Sequence, residues 1–148
     1  MSEHRTSLTW SRNGGPFARG NYASDHEIRY SGGQTLHAAP SPEYGGSGAH
    51  ADPEQMLLSA LSSCHMLTFL AVAANRGYVI DSYVDDAVAT LGKNTDGKMA
   101  VISATLSPKV VFSADRQPSA EDYAKMHERA HAGCFIANSV KATVDVRL

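Results

Sequence analysis

Cys64 and Cys134 are the two thiols of a 148-residue chain, and a histidine, His65, directly follows the first. A cysteine does chemistry as its thiolate, which attacks electrophiles and binds metals. Two thiols brought together by a fold can pass through a sulfenic acid to a disulfide and be reduced again. Two cysteines are too few for a disulfide scaffold, and in a reducing compartment they point to catalysis, redox chemistry or metal binding. The plain alternative is a pair of inert buried thiols. A metal reading has its own pattern: His127, His131 and Cys134 fall at i, i+4 and i+7 on one helix face, and Cys64 or His65 would complete four ligands. Histidines near a helix C-terminus are ordinarily surface or capping groups. The ordinary role for His65 is a half-buried ring bonded to the backbone.

Cys64 lies in "DPEQMLLSALSSCHMLTFLAVAANRG", a segment free of charged residues from Gln55 to Asn75. Its ends carry helix signals. Asp52 suits the N-cap, Pro53 the first helical position and Gln55 the capping box, while Arg76 and Gly77 form a C-terminal signature. Pro53 to Arg76 is thus predicted to be one helix about 36 Å long. A cysteine at its middle gains little from the helix dipole, and burial raises its pKa. A reactive Cys64 therefore needs a cation from elsewhere, and the N-terminal third offers Arg12, Arg19 and Arg29. Arg19, in "GGPFARGN", sits in a glycine-flanked loop that can aim a side chain into a cleft. A solvated surface arginine is the ordinary alternative for each.

The remaining elements must place these residues. "HEIRYSGGQTLHAA" reads as two strands around a two-residue turn at Gly32 and Gly33. "PSPEYGGSGAHA" is a loop leading to the long helix. After Gly77, the run from Tyr78 to Phe112 reads as two long strands joined at Asp96 and Gly97, with Pro108 at an edge or bulge. Ser119 and Asp122 open a second helix with Tyr123, Met126 and Ala130 as its apolar stripe, reaching about Gly133 with Cys134 at its end. A strand, "SVKATVDVRL", closes the chain. The order gives an α+β fold with largely antiparallel pairing, residues 1–148 forming a single domain.

Together, "DPEQMLLSALSSCHM" and "AHAGCFIANSV" resemble the OsmC/Ohr family of thiol-dependent peroxidases, and the likeness runs from the N-terminal strands to the final strand. The resemblance implies an intertwined homodimer, with antiparallel sheets enclosing two helices, one long and central, and sites at the subunit interface. It implies that Cys64 is the peroxidatic thiolate, that Cys134 resolves it, and that Glu54 holds an arginine, here Arg19, against the thiolate. Glu54 and Cys64 are ten positions apart, about 15 Å along a helix, so the simpler arrangement takes Glu54 and its arginine from the partner subunit. Glu54 would also suit the first helical turn as a dipole-favoured acid. His65 and His26 are possible site-lining residues for the hydroperoxide. Where the family usually has Cys-Pro, this chain has Cys134-Phe135, and His65 and Met66 after Cys64 also depart from its better-studied members. The expected partners are a hydroperoxide, an external dithiol of lipoyl or thioredoxin type and a second copy of the chain, with no cofactor and no metal.

Composition excludes other classes. With 43% hydrophobic residues the chain can bury its own core. A net charge of -2 without a dense Lys/Arg cluster lacks the footprint of nucleic-acid binding. The polar start "MSEHRTSLTW" carries no export signal, which places the expected protein in the cytoplasm. The long segment meets the length rule for a membrane span, but Ser59, Ser62, Ser63, His65 and Thr68 dilute it and strands flank it. A final alternative is a non-catalytic module binding a small apolar ligand between its helices.

Overall fold

The structure, a computed structural model, describes residues 1–148. It divides into two compact units, Met1–Met56 and Leu57–Leu148.

The first unit is mostly extended. Strands β1 (Thr6–Thr9), β4 (His26–Tyr30) and β5 (Thr35–Ala38) form an antiparallel sheet in the order β1-β4-β5, and β2 (Phe17–Ala18) pairs β3 (Asn21–Tyr22). The β4–β5 connection corrects the expected two-residue turn. Gly33 N–H donates to Tyr30 O, Tyr30 N–H donates to Gln34 O, and Gly33 takes φ +88°. That is a three-residue loop ending in a left-handed glycine bulge. Trp10 packs on Phe17 at 5.9 Å and Phe17 on Tyr22 at 5.4 Å between ring centroids, and all three rings are exposed.

Helix α1 (Pro53–Asn75) starts and stops where its local chemistry directs. Gln55 N–H donates to Asp52 Oδ1 at 2.7 Å, and Asp52 N–H returns to Gln55 Oε1 at 3.2 Å, a reciprocal capping box. At the other end Gly77 (φ +74°) lets its own N–H reach Ala74 O and Tyr78 N–H reach Ala73 O. This is the Schellman arrangement, and Tyr78 and Ala73 both enter the core.

The second unit holds the rest of α1 and strands β6 (Ile80–Asp85), β7 (Val88–Lys93), β8 (Met99–Leu106), β9 (Pro108–Phe112) and β10 (Thr143–Val146), with α2 (Ala120–Gly133). The two long strands expected here are four. Each breaks, at Asp86–Ala87 and at Ser107, so that β6 pairs β9 antiparallel while β7 pairs β8. Pro108 is the first residue of β9, a position that asks no ladder hydrogen bond of it. Strand β10 adds to β8 in parallel, beside otherwise antiparallel pairs. Ser119 Oγ caps α2 by accepting from Asp122 N–H at 3.1 Å. The core joins Phe69 and Ala73 of α1, Met126 and Ala130 of α2, Tyr78 and Phe112. Arg76, immediately after α1, pairs with Asp122 near the start of α2 at 2.8 Å, while Phe69 further back on α1 stacks on His127 further along α2, so α2 runs antiparallel to the C-terminal half of α1. Helix α1 is long and apolar enough to cross a membrane, but the fold turns its stripe Leu61, His65, Phe69 and Ala73 into a protein core.

Candidate functional site

The antiparallel helix pair brings the two cysteines together. Arg76, just past α1, is as many residues from Cys64 as Asp122 of α2 is from its C-cap Cys134, so the pair that meets at one end of the contact predicts the meeting at the other. The thiols are near enough for each to shift the other's ionisation, both being free and Cys134 buried. Gly133 permits the approach: a Cβ there would meet Thr68 Cγ2 of α1 at 3.1 Å.

The turn after α2 supplies the electrostatics. Cys134 caps the helix, with its N–H on His131 O, and the chain bends into a 3-10 turn at Ala137–Ser139. Asn138 Nδ2 donates to Ala132 O and Ser139 Oγ to Phe135 O, which hold that bend in place. Ala137 N–H donates to Cys134 Sγ at 3.4 Å. Burial pushes the Cys64 thiol up, but the N–H of Ile136, the Cys134 thiol, the N–H of Phe135 and the Thr68 hydroxyl together bring it below its ordinary range. Burial and the neighbouring Cys64 push Cys134 up, against the N–H groups of Ala137 and Ile136. The two thiols are thus pushed in opposite directions, Cys64 being the one that gives up its proton more readily and Cys134 the one that holds it longer. Each of the groups that lower Cys64 is a dipole, where the sequence had called for a cation.

Next to this pair lies a second one. His65 Nε2 and His127 Nδ1 are 2.9 Å apart, with ring planes 5° from parallel, and the two residues are 1% and 2% exposed. His127 also stacks on Phe69 at 4.1 Å and meets Tyr123 edge-on at 4.6 Å. Burial, with the like charge of His131 and against Asp85, pushes His65 down to about 4. Burial and His65 do the same to His127, also to about 4. Both rings are therefore neutral near pH 7, and one proton lies between them. The outer nitrogens, His65 Nδ1 and His127 Nε2, have no partner, nor do His131 Nδ1 and the Tyr83 hydroxyl. An unpaired buried polar atom costs about 1–3 kcal/mol. On the same side of α1, Ser62 Oγ donates to Asp85 Oδ2 and Ser107 N–H to Asp85 Oδ1.

The OsmC-like protein family model matches residues 46–148, which include both cysteines and both buried histidines. The chain belongs to this family. An OsmC-like protein of unknown function from Vibrio cholerae is 42% identical over 99% of each chain, with a TM-score of 0.95. At the level of fold alone, an organic hydroperoxide resistance protein from Elizabethkingia anophelis matches with a TM-score of 0.73 at 15% identity, over 100% of this chain and 94% of its own. The organic hydroperoxide resistance protein OhrB of Bacillus subtilis does so at 0.67 and 17%, over 99% and 96%. A search of curated protein sequences gives no match.

The other residues expected to serve this OsmC-like site stand as follows. Arg19 is exposed in the β2–β3 turn. Glu54, in the first turn of α1, lines a cavity of about 200 Å³ with Ser24, His26, Pro40, Ser41, Tyr44 and Pro53. His26 accordingly faces an opening, its Nδ1 bonded to Ser24 O at 2.9 Å. His65 does not line one: it is turned into the core, and its partner is a side chain rather than the backbone. His127, expected at the surface, is buried with it. His131 is half-buried, and no three His, Cys, Asp or Glu residues come together in a metal-holding geometry. The i, i+7 spacing of His127 and Cys134 was the available signal that one α2 face carries both, but nothing local named His65 as the partner. The Phe135 and Ile136 amides carry no residue-type signal at all.

Proposed function

We propose that this OsmC-like protein is a thiol-dependent peroxidase with Cys64 as nucleophile and Cys134 as resolving thiol. The observation that carries the reading is the pairing of the two free thiols across α1 and the end of α2, with Cys64 brought below the ordinary thiol range and Cys134 pushed above it. Cys64–S⁻ attacks the outer oxygen of a hydroperoxide: the S–O bond forms, the O–O bond breaks, and the departing alkoxide takes a proton to leave as the alcohol. The Cys134 sulfur then attacks the sulfenic acid, and its proton departs with the hydroxyl as water while the disulfide forms. An external dithiol of lipoyl or thioredoxin type returns both thiols.

Leu67, one turn beyond Cys64, and Phe135, beside Cys134, are 60% and 80% exposed, which supports an organic rather than a purely aqueous substrate. The fully exposed strands β1 to β3 and the exposed Trp10, Phe17 and Tyr22 support a homodimer in which a second copy covers them. Glu54 and Arg19 would then act from the partner, adding a cation to the dipoles already at Cys64. The setting is a reducing, cytoplasmic one.

One equivalent of tert-butyl hydroperoxide should remove two thiols per chain in the wild type, none in Cys64→Ser, and one, as a sulfenic acid, in Cys134→Ser. Turnover should be faster with organic hydroperoxides than with hydrogen peroxide, and dihydrolipoamide and thioredoxin should be compared as reductants. Inactivity with every peroxide would overturn the reading in favour of a ligand-binding module.

A further inference from the structure

We propose that the hydrogen bond between His65 and His127 fixes the rotation of α1 against α2 and so holds Cys64 opposite Cys134, making the two imidazoles positioning residues for the redox pair. The inference rests on the reading of Cys64 and Cys134 as that pair.

Helix α1 carries no charged side chain from Gln55 to Asn75, and Ser59, Ser62, Ser63 and Thr68 are small interruptions of an otherwise apolar surface. Leu57, Leu58, Met66, Leu70 and Val72 surround the buried stripe of Leu61, His65, Phe69 and Ala73. Apolar burial is not directional, so turning such a helix mainly exchanges one apolar side chain for another. Neighbouring residues on a helix differ by about 100° and 1.5 Å, and a disulfide tolerates Cα separations of only about 4.4 to 6.8 Å. A modest rotation therefore carries Cys64 out of bonding range at little cost in apolar contact.

His65 resists it. The residue adjoins Cys64, lies in the middle of the buried stripe, and is tied at 2.9 Å to a ring on α2, a bond that demands direction as well as distance. On α2, His127 stands two turns before Cys134 on nearly the same face. The tie and the thiol contact thus lie in one helix–helix seam. Ser62 and Asp85 make the corresponding tie from α1 to β6. The two unpartnered outer nitrogens show that the histidine pair is not the choice that maximises stability, because apolar rings would leave no such atoms. A buried polar pair that sets register is the best attested role for such a cost.

The test is the equilibrium between the full-length protein's Cys64–Cys134 disulfide and a dithiothreitol redox buffer, read by alkylation and mass spectrometry at pH 7. In His65→Phe/His127→Phe the rings remain and the hydrogen bond is gone. The disulfide equilibrium constant should fall about tenfold, about 30 mV for this two-electron couple, while the thermal midpoint holds or rises. His65→Gln/His127→Asn puts amide groups where Nε2 and Nδ1 met, and should restore most of the loss. An unchanged constant in the phenylalanine variant, or equal losses in both, would overturn the inference. Should the phenylalanine pair not fold, His65→Leu/His127→Met puts the same question with more pliable side chains. Absence of the disulfide in the wild-type protein would refute the proposed resolving step and this inference with it. A wild-type disulfide that ignores the substitutions refutes this inference alone.

Discussion

Acidification should destabilise this protein through two buried histidines. His65 and His127 have an ordinary value of 6.5 and are each held down to about 4 in the fold, chiefly by burial. Below 6.5 the unfolded chain takes up protons that the folded chain refuses. The contribution is therefore complete above 6.5 and is lost as pH falls toward 4. At pH about 5 the shift amounts to about 2 kcal/mol per histidine, or about 4 kcal/mol for the pair. Small proteins have only about 5–15 kcal/mol to lose. The assay is urea unfolding at pH about 8, 6.5 and 5, at one protein concentration, for the wild type and for His65→Phe/His127→Phe. The wild type should lose about 4 kcal/mol more than the variant between the first and last of these. Parallel profiles would show that the rings accept protons in the folded state, and would refute their placement as a sealed, neutral pair.

Other substitutions test other contacts. Gly133→Ala sets a methyl against Thr68 and should slow disulfide formation severalfold, measured by the loss of thiols after a hydroperoxide pulse. Asp52→Ala removes a capping oxygen from α1 and should cost about 1 kcal/mol in urea unfolding with no change in thiol reactivity. Replacing Cys134 by alanine takes away a donor to the Cys64 sulfur, so the pH midpoint for Cys64 alkylation should rise, and serine should raise it less because its hydroxyl still donates.

The parts of the fold that were legible in the sequence are those whose cause is local. Asp52 and Gln55 bond to each other, Gly77 supplies the left-handed turn, and Ser119 caps α2, each within a few residues of the signal that announces it. The four-way split of the expected long strands was not legible, because it depends on which strand finds which partner across Asp85 and Pro108. The site divides along the same line. The cysteines announced themselves by type, whereas His65 and His127 are joined across 62 positions. Charge counting pointed to an arginine for Cys64. The amides of Phe135 and Ile136 do part of that work, and their aim comes from the turn after α2 rather than from any side chain.

The proposed chemistry depends on which sulfur ionises first, and a pH titration of Cys64 reports on it most directly. Thiolate absorbance at about 240 nm and site-resolved alkylation by iodoacetamide should be followed together on the reduced wild-type protein. Cys64 should ionise at lower pH than an ordinary cysteine and Cys134 at higher pH, in two separate steps. A single step at or above the ordinary thiol value, or Cys134 ionising first, would contradict it.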